Sequence, residues 1–488
     1  MWIAPLIAVA ATLYLLLFKP TVLAVAAPIL LLWLASPAIA WWISQPLARR
    51  EARLTLTQLT FLRKLSRKTW AFFESFVGPE DHWLPPDNYQ EYRGAAVAHR
   101  TSPTNIGMAL LANLAAYDFG YIPAGQLIAR SANTLRTLEG MERYRGHFYN
   151  WYDTLSLKPL HPKYISTVDS GNLAGHLLTL RPGLQALPDA PILGARWLDG
   201  LQDTLGILLE ASAPSAGLAQ LQADFAAIGG YRLNTIKESW RCLDRLTRGA
   251  AKFADSLDTP RIEAQASGEI YTELDADSTH HPTLDHASAV RSETASESDA
   301  NWWARTLARQ CHNALDELTF LAPWLLLPAA PGGLGDYPGG GAIPTLRELA
   351  RLEAEALAGP AQGSAEREWL HDYRRSIATA GYRATERIAE IERLALQAGE
   401  FACMEYGFLY DKASRLLAIG FNVDELRRDA SYYDLLASEA RLISFVAIAQ
   451  GQVPQESWFA LGRLLTTAGG EPILLSWSGS MFEYMMPL

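Results

Sequence analysis

Four segments of the chain concentrate polar and aromatic side chains beyond what core packing asks for. DHWLPPDNYQEYR runs from Asp81 to Arg93, RYRGHFYNWYD from Arg143 to Asp153, STVDSGNL from Ser166 to Leu173 and DASYYDLLASEAR from Asp429 to Arg441. Ring faces stack on the C–H groups of a pyranose while carboxylates and amides take its hydroxyls, so this mixture suits a carbohydrate cleft. Glycoside chemistry usually requires two carboxyl groups across the scissile bond, one supplying a proton and one attacking or activating a nucleophile. Glu439 stands among Leu435, Leu436, Ala440 and Leu442, a setting that can raise a carboxyl pKa into the general-acid range. Glu483 sits in the apolar run SMFEYMMP, where a lone carboxylate needs a buried partner or a chemical task. Each residue also has a plainer reading. Glu439 could be a surface carboxylate of an amphipathic helix, Asp169 in VDSGN a helix N-cap, and Tyr432 or Tyr433 a half-buried core ring.

The elements that must position these loops are helical. Apolar residues recur at helical spacing from Glu51 to Val77 (Leu54, Leu59, Leu62, Leu65, Trp70, Phe73, Phe76). Ser102-Pro103-Thr104 opens a helix that Gly120 closes. Further helices are expected over Ala124–Glu142, Gly171–Leu180, Pro191–Ala211, Leu218–Ile228, Leu233–Ala254, Trp302–Phe320 and most of Leu346–Gln397. Phe408–Tyr410 and Leu416–Phe421 read as a hairpin feeding a helix over Ser431–Ala449. The polar, acidic stretch 256–300 reads as a flexible insertion, and His280, His281, Asp285 and His286 as solvated linker rather than a metal cluster. Repeated helical hairpins with functional loops between them fit an α/α toroid, and an irregular bundle shares the same periodicity.

The N-terminus differs in kind. Trp2–Phe18 and Val22–Ile43 carry no charge and flank Lys19-Pro20, which predicts two membrane spans over residues 1–48, followed by an amphipathic connecting helix over 49–78 and a catalytic-type domain over 79–488. Arg49, Arg50, Arg53, Arg63, Lys64, Arg67 and Lys68 crowd the side after the second span, so the positive-inside rule places the large domain in the cytoplasm. Cys242, Cys311 and Cys403 are far apart in sequence with no Cys-x-x-Cys pair, which argues against a disulfide framework or a zinc site and suits a reducing compartment. A net charge of −10 gives no pull towards nucleic acid, and no motif calls for a cofactor or metal. Fifteen Trp and 19 Tyr in 488 residues agree with a sugar-binding role, although Trp41 and Trp42 sit where a membrane-interface belt belongs.

WLPPDNYQE, VAHRTSPTNIGM, MERYRGHFYNWYDT, STVDSGNLAGHLLTL, MEYGFLYD, SYYDLLASEARLISFVAIAQG and SWSGSMFEYMMP, in this order, closely resemble the glycoamylase-like transglycosylation module of bacterial cyclic β-1,2-glucan synthases. The resemblance implies a mainly α chain: two transmembrane helices, then an (α/α)6 toroid with a few short β-hairpins. It implies action on linear β-1,2-glucan, cyclised by intramolecular transglycosylation with retention, at a bacterial inner membrane. Carried over by position, Glu439 is the leading acid/base carboxylate and Glu483 the second. Trp83, Asp87, Arg100, Trp151, Tyr152, Asp153, Asp169, Asn172, Tyr433, Asp434 and Trp477 are the implied cleft residues. In that family a glycosyltransferase precedes the module and a phosphorylase-like region follows it, and this chain carries neither. The family's module also continues beyond the position of Leu488, so a toroid ending there would be open and short of a carboxylate-bearing loop. Where relatives often have Asp before FLYD, this chain has Glu405, which weakens a role assigned there. A glucan-binding protein without turnover, or a fragment of a longer synthase, are the competing expectations.

Overall fold

A computed structural model of the chain describes residues 3–44, 54–90, 96–229, 235–258, 285–331, 341–352, 363–433, 438–462 and 465–474. It divides into two units, Met1–Leu59 and Thr60–Leu488. The smaller contains α1 (Ile3–Phe18) and α2 (Pro20–Ile43), which pack against each other. α2 is long and apolar enough to cross a membrane. α1 is equally apolar but has 16 residues, a rise of roughly 24 Å against a hydrocarbon core of about 30 Å. Of the two expected spans, one therefore meets the length requirement.

The larger unit is mainly helical. α3 (Leu56–Phe76) leads into it, followed by α4 (Pro103–Asp118), α5 (Ala124–Gly140), α6 (Thr167–Ala186), α7 (Trp197–Ala211), α8 (Ala216–Gly229) and α9 (Ile236–Asp258). After these come α10 (Asp285–Leu321), α11 (Leu346–Ala350), α12 (Ser364–Phe401), α13 (Ser438–Ala449) and α14 (Glu456–Ala460). Neighbours in sequence pack as pairs, α4 on α5, α8 on α9 and α9 on α10. The core they share includes Leu110, Leu135, Leu177, Leu307, Ile391 and Leu394.

Two expectations shift. The helix α10 begins at Asp285, so the C-terminal part of the expected insertion 256–300 is helical, while 259–284 lies outside the described residues. Acidity misled here: from Asp285 to Leu321 there is no Gly or Pro, and Ala, Glu and Arg are good helix formers. The expected helix over Ser431–Ala449 starts at Ser438. Ser431 and Tyr432 are instead extended, with Ile419 N–H donating to Ser431 O at 3.0 Å and Tyr432 bridged to Ala418. Strand pairing there overrides the helical spacing that continues from Glu439 onward.

The strands are short and tie loops together. Arg100–Thr101 pairs with Tyr152–Asp153, and Arg143–Tyr144 with His147–Phe148. Tyr410–Asp411 pairs with Leu416–Leu417, as the expected hairpin requires. Gly420–Asn422 pairs on one side with Arg427–Arg428 and on the other with Tyr164–Ser166.

α6 is the hub of the site, packed against α4, α12 and α13. Glycines set how closely its neighbours come. A Cβ on Gly171 would lie 2.3 Å from Ile443 Cβ, and one on Gly175 would meet Leu442, so α13 rides directly on the α6 backbone. On α4, a Cβ at Gly107 would lie 2.4 Å from His176 Nδ1. These contacts bring the first turns of α4, α6 and α13 together.

Candidate active site

The first turn of α4 is built by Ser102, whose hydroxyl accepts from Asn105 N–H at 3.2 Å, with Pro103 at the first helical position. This sets Thr104 facing α6 and Asn105 towards Asp87. The cap of α6 is Ser166, whose hydroxyl accepts from Asp169 N–H at 3.3 Å. Asp169 is thus a first-turn residue and not the N-cap, and its carboxylate is free to face α4. Thr104 Oγ1 donates to Asp169 Oδ1 at 2.5 Å and accepts from Asn172 Nδ2 at 3.0 Å. The Asn150 amide, oriented by its neighbours, donates to Asp169 Oδ2 at 2.9 Å and accepts from the Trp151 indole N–H at 3.2 Å.

Glu439 occupies the first turn of α13 and is half-buried. Its Oε1 lies 3.5 Å from Asn172 Nδ2, the outer limit of a hydrogen bond. Burial pushes the Glu439 carboxyl pKa up, the Asp169 charge pushes it the same way, and the Asn172 contact opposes both. The Tyr433 hydroxyl pKa is also raised, first by burial and then by the charges of Glu439, Asp169 and Asp429. Tyr164 donates to Asp429 Oδ2 at 2.5 Å, and burial with this bond holds its proton tightly. Three carboxylates and two phenols thus converge at the mouths of α6 and α13.

The rim continues from Trp151. The Arg100 guanidinium lies over the Trp151 ring, 5.0 Å from its centroid, and grips Asp87 Oδ2 through Nε and Nη2 at 3.1 and 2.9 Å. Asn88 donates to the same oxygen at 3.0 Å, and Asn105 reaches Asp87 Oδ1 at 3.5 Å. Asp87, Arg100, Trp151, Asp169, Asn172 and Glu439 therefore form one connected polar and aromatic surface, with Tyr433 beside it. Ring, cation, amide and a carboxyl with a raised pKa are the groups that a sugar ring and a glycosidic oxygen require.

Of three other expected cleft residues, one is a core ring and two make local contacts. Tyr152 is wholly buried, donating to Glu142 O at 2.7 Å and accepting from Tyr149 N–H at 2.8 Å, so it is a core ring and not a sugar platform. Strand alternation explains this, since the neighbouring Trp151 faces the rim and Tyr152 faces inward. Asp153 spends its Oδ1 on Leu155 N–H, Ser156 N–H and the Ser156 hydroxyl, closing a turn. Trp83 lies beside Arg130, 5.6 Å from its ring centroid, and its carbonyl accepts from Thr134. Asp434, Trp477 and Glu483 lie outside the described residues.

Sequence reasoning passed over Thr104, Asn105, Asn150, Tyr164 and Asp429. Only Asn150 and Asp429 fall inside segments singled out for their composition, and small polar side chains carry no signal of their own until their partners are known. Among the described residues no group of His, Cys, Asp and Glu could hold a metal ion. His280 and His281 lie outside them.

The loop of Glu405 docks by its backbone. His147, wholly buried, donates from Nε2 to Glu405 O at 2.7 Å, with Ser170 Oγ 2.9 Å from Nδ1. Burial lowers the His147 pKa to about 4, which keeps the ring neutral. The Glu405 side chain is exposed and pairs with Arg145 at 2.9 Å.

Over its whole length this chain is similar to the cyclic β-(1,2)-glucan synthase NdvB of Rhizobium meliloti (strain 1021), at 33% identity over 492 residues. It resembles one segment of a much longer synthase. The chain spans 15% of the length of that relative. No family model matches it. A solved structure of a candidate glucoamylase from Bacteroides fragilis NCTC 9343 is similar over 27% of this chain and 33% of that one, at 18% identity and a TM-score of 0.24.

Proposed function

We propose that the larger unit breaks and re-forms glycosidic bonds of linear β-1,2-glucan, cyclising it by intramolecular transglycosylation with retention. The observation that carries this reading is Glu439: a half-buried carboxyl with a raised pKa, joined through Asn172 and Thr104 to a second carboxylate, Asp169. Similarity to a segment of a cyclic β-(1,2)-glucan synthase supports the substrate class. Glu439 protonates the departing glycosidic oxygen and later takes a proton from the incoming sugar hydroxyl. Asp169 faces the charge that develops at the anomeric carbon, with Glu483 the other candidate for that place. Trp151, packed by Arg100, and Tyr433 stack on the flanking sugars. A helical toroid, the glycosyltransferase and phosphorylase-like parts of a longer synthase as partners, and action without cofactor or metal belong to the same proposal.

In this proposal α2 crosses a bacterial inner membrane and the larger unit is cytoplasmic. The basic residues after α2 orient it, and several of them take a second role once the larger unit has folded. Arg63 and Lys64 are spent on Asp199, Asp203 and Glu210 of α7, and Arg67 is buried.

Equilibrium binding and product analysis with size-matched oligosaccharides test the substrate. Linear β-1,2-glucan should bind in preference to maltooligosaccharides and yield rings; equal affinity for the two would overturn the reading. Asp169→Asn tests the electrostatics. The Asp169 charge raises the Glu439 pKa, so removing it lowers that pKa and the alkaline limb of the pH–rate profile, where the acid loses its proton, moves to lower pH. An unmoved or upward-shifted limb would contradict the coupling.

A further inference from the structure

The helix α3 presents two unlike faces. One is fixed to the larger unit: Arg63 binds Asp203 at 2.9 Å and Asp199 at 3.5 Å, Lys64 pairs with Glu210, and Arg67 is buried against Thr204 and Glu74. At about 100° of rotation per residue, Phe61, Leu62 and Leu65 fall on the opposite side, and they are 65%, 43% and 51% exposed. The stripe runs on through Phe72 to Phe76, whose ring lies 4.8 Å from that of Tyr89, next to the loop of Asp87 and Asn88. Lys68 flanks it, exposed. Three adjacent large apolar side chains left in water on a helix whose rotation is locked by ion pairs need an occupant.

The chain itself says which. α2 ends at Ile43 and α3 begins at Leu56, so residues 44–55 can reach at most roughly 45 Å from the end of the apolar helix. Arg49, Arg50 and Arg53 within that connection are cations suited to anionic headgroups. A two-faced helix of this kind, with basic residues at its edge, lies in the membrane–water boundary with its apolar side about 5–10 Å deep.

We propose that α3 lies along the surface of an anionic bilayer, with Phe61, Leu62 and Leu65 among the upper acyl chains. It thereby holds the Asp87 and Asn88 loop, through Phe76 and Tyr89, close to the membrane. The inference rests on the reading of α2 as a membrane span. The ion pairs to α7 then serve as the rigid joint between the bilayer and the helices that carry the site.

The test uses the full chain in vesicles of phosphatidylethanolamine and phosphatidylglycerol. Cys242 and Cys403 are replaced by Ser, Cys311 being buried, and an NBD fluorophore is attached to a cysteine introduced at Phe61, Leu65 or, as control, Tyr382, which is 64% exposed on α12. Nitroxide groups on the lipid chains should remove most emission at 61 and 65 and little at 382. Unquenched probes at 61 and 65 in protein that still resists alkaline carbonate extraction would overturn the α3 proposal and leave the span standing. Equal quenching at all three positions would also overturn it. Extraction by carbonate would remove the span reading and the proposal with it.

Discussion

Glu439→Gln is expected to lower turnover on β-1,2-glucan by about 100-fold or more, because the amide keeps the shape and most hydrogen bonds of the carboxyl but cannot give or take a proton. Glucan affinity should hardly change. The competing view of Glu439 as an ordinary helix-surface carboxylate predicts the reverse, a small change in stability with turnover per folded molecule intact. Initial rates and equilibrium binding on one preparation separate the two. The comparison is best made both in this chain and in a longer synthase that contains it. The physical ground is the agreement of two independent effects at Glu439: burial and the Asp169 charge both favour the protonated form, and the Asn172 contact at 3.5 Å is too long to reverse them. Wild-type turnover in the Gln variant would refute the assignment.

The second large effect concerns Arg67. Its side chain is 1% exposed, donates from Nε to Thr204 at 2.8 Å and from Nη2 to Glu74 at 2.9 Å, and lies over the rings of Tyr121 and Trp303 at 5.3 and 5.1 Å. Burial lowers its pKa and Glu74 works against that. Removing one partner of a buried ion pair costs ~3–5 kcal/mol, and Arg67→Ala adds a cavity between α3, α7 and α10. Glu74 is cushioned because Arg309 also reaches it at 3.1 Å. Arg67→Met refills the space with apolar volume, so it should lose clearly less than Arg67→Ala. Urea midpoints of the detergent-solubilised chain, followed by circular dichroism, measure both. Equal midpoints for wild type and Arg67→Ala would show that the guanidinium is not a structural keystone of α3.

How much of this was legible beforehand depends on whether the signal is local. The start of α4 is written in Ser102-Pro103, and its end in Gly120, whose φ of +76° suits glycine. The four polar and aromatic segments supply Glu439, Asp169, Asn172, Trp151 and Asp87, which prove to be neighbours, and Arg100, outside those segments, joins them. Local pattern fails where a distant partner decides. Tyr152 and Trp151 look equally suited to a cleft, yet strand pairing with Thr101 turns one inward. Ser431 and Tyr432 match helical spacing until Ala418 and Ile419 draw them into pairing. Thr104 looks like any first-turn threonine until Asp169 and Asn172 are placed on either side of it.

The loop of Glu405 bears on how sequence drift is read. It is held by main-chain groups, Glu405 O accepting from His147 and Glu405 N–H donating to Arg145 O at 3.2 Å, while the side chain reaches only an exposed arginine. A backbone anchor is indifferent to the side chain that hangs from it. Exchange of aspartate for glutamate at this position therefore leaves the anchor in place, whereas His147, one residue in a different segment, is where the same anchor would register a loss.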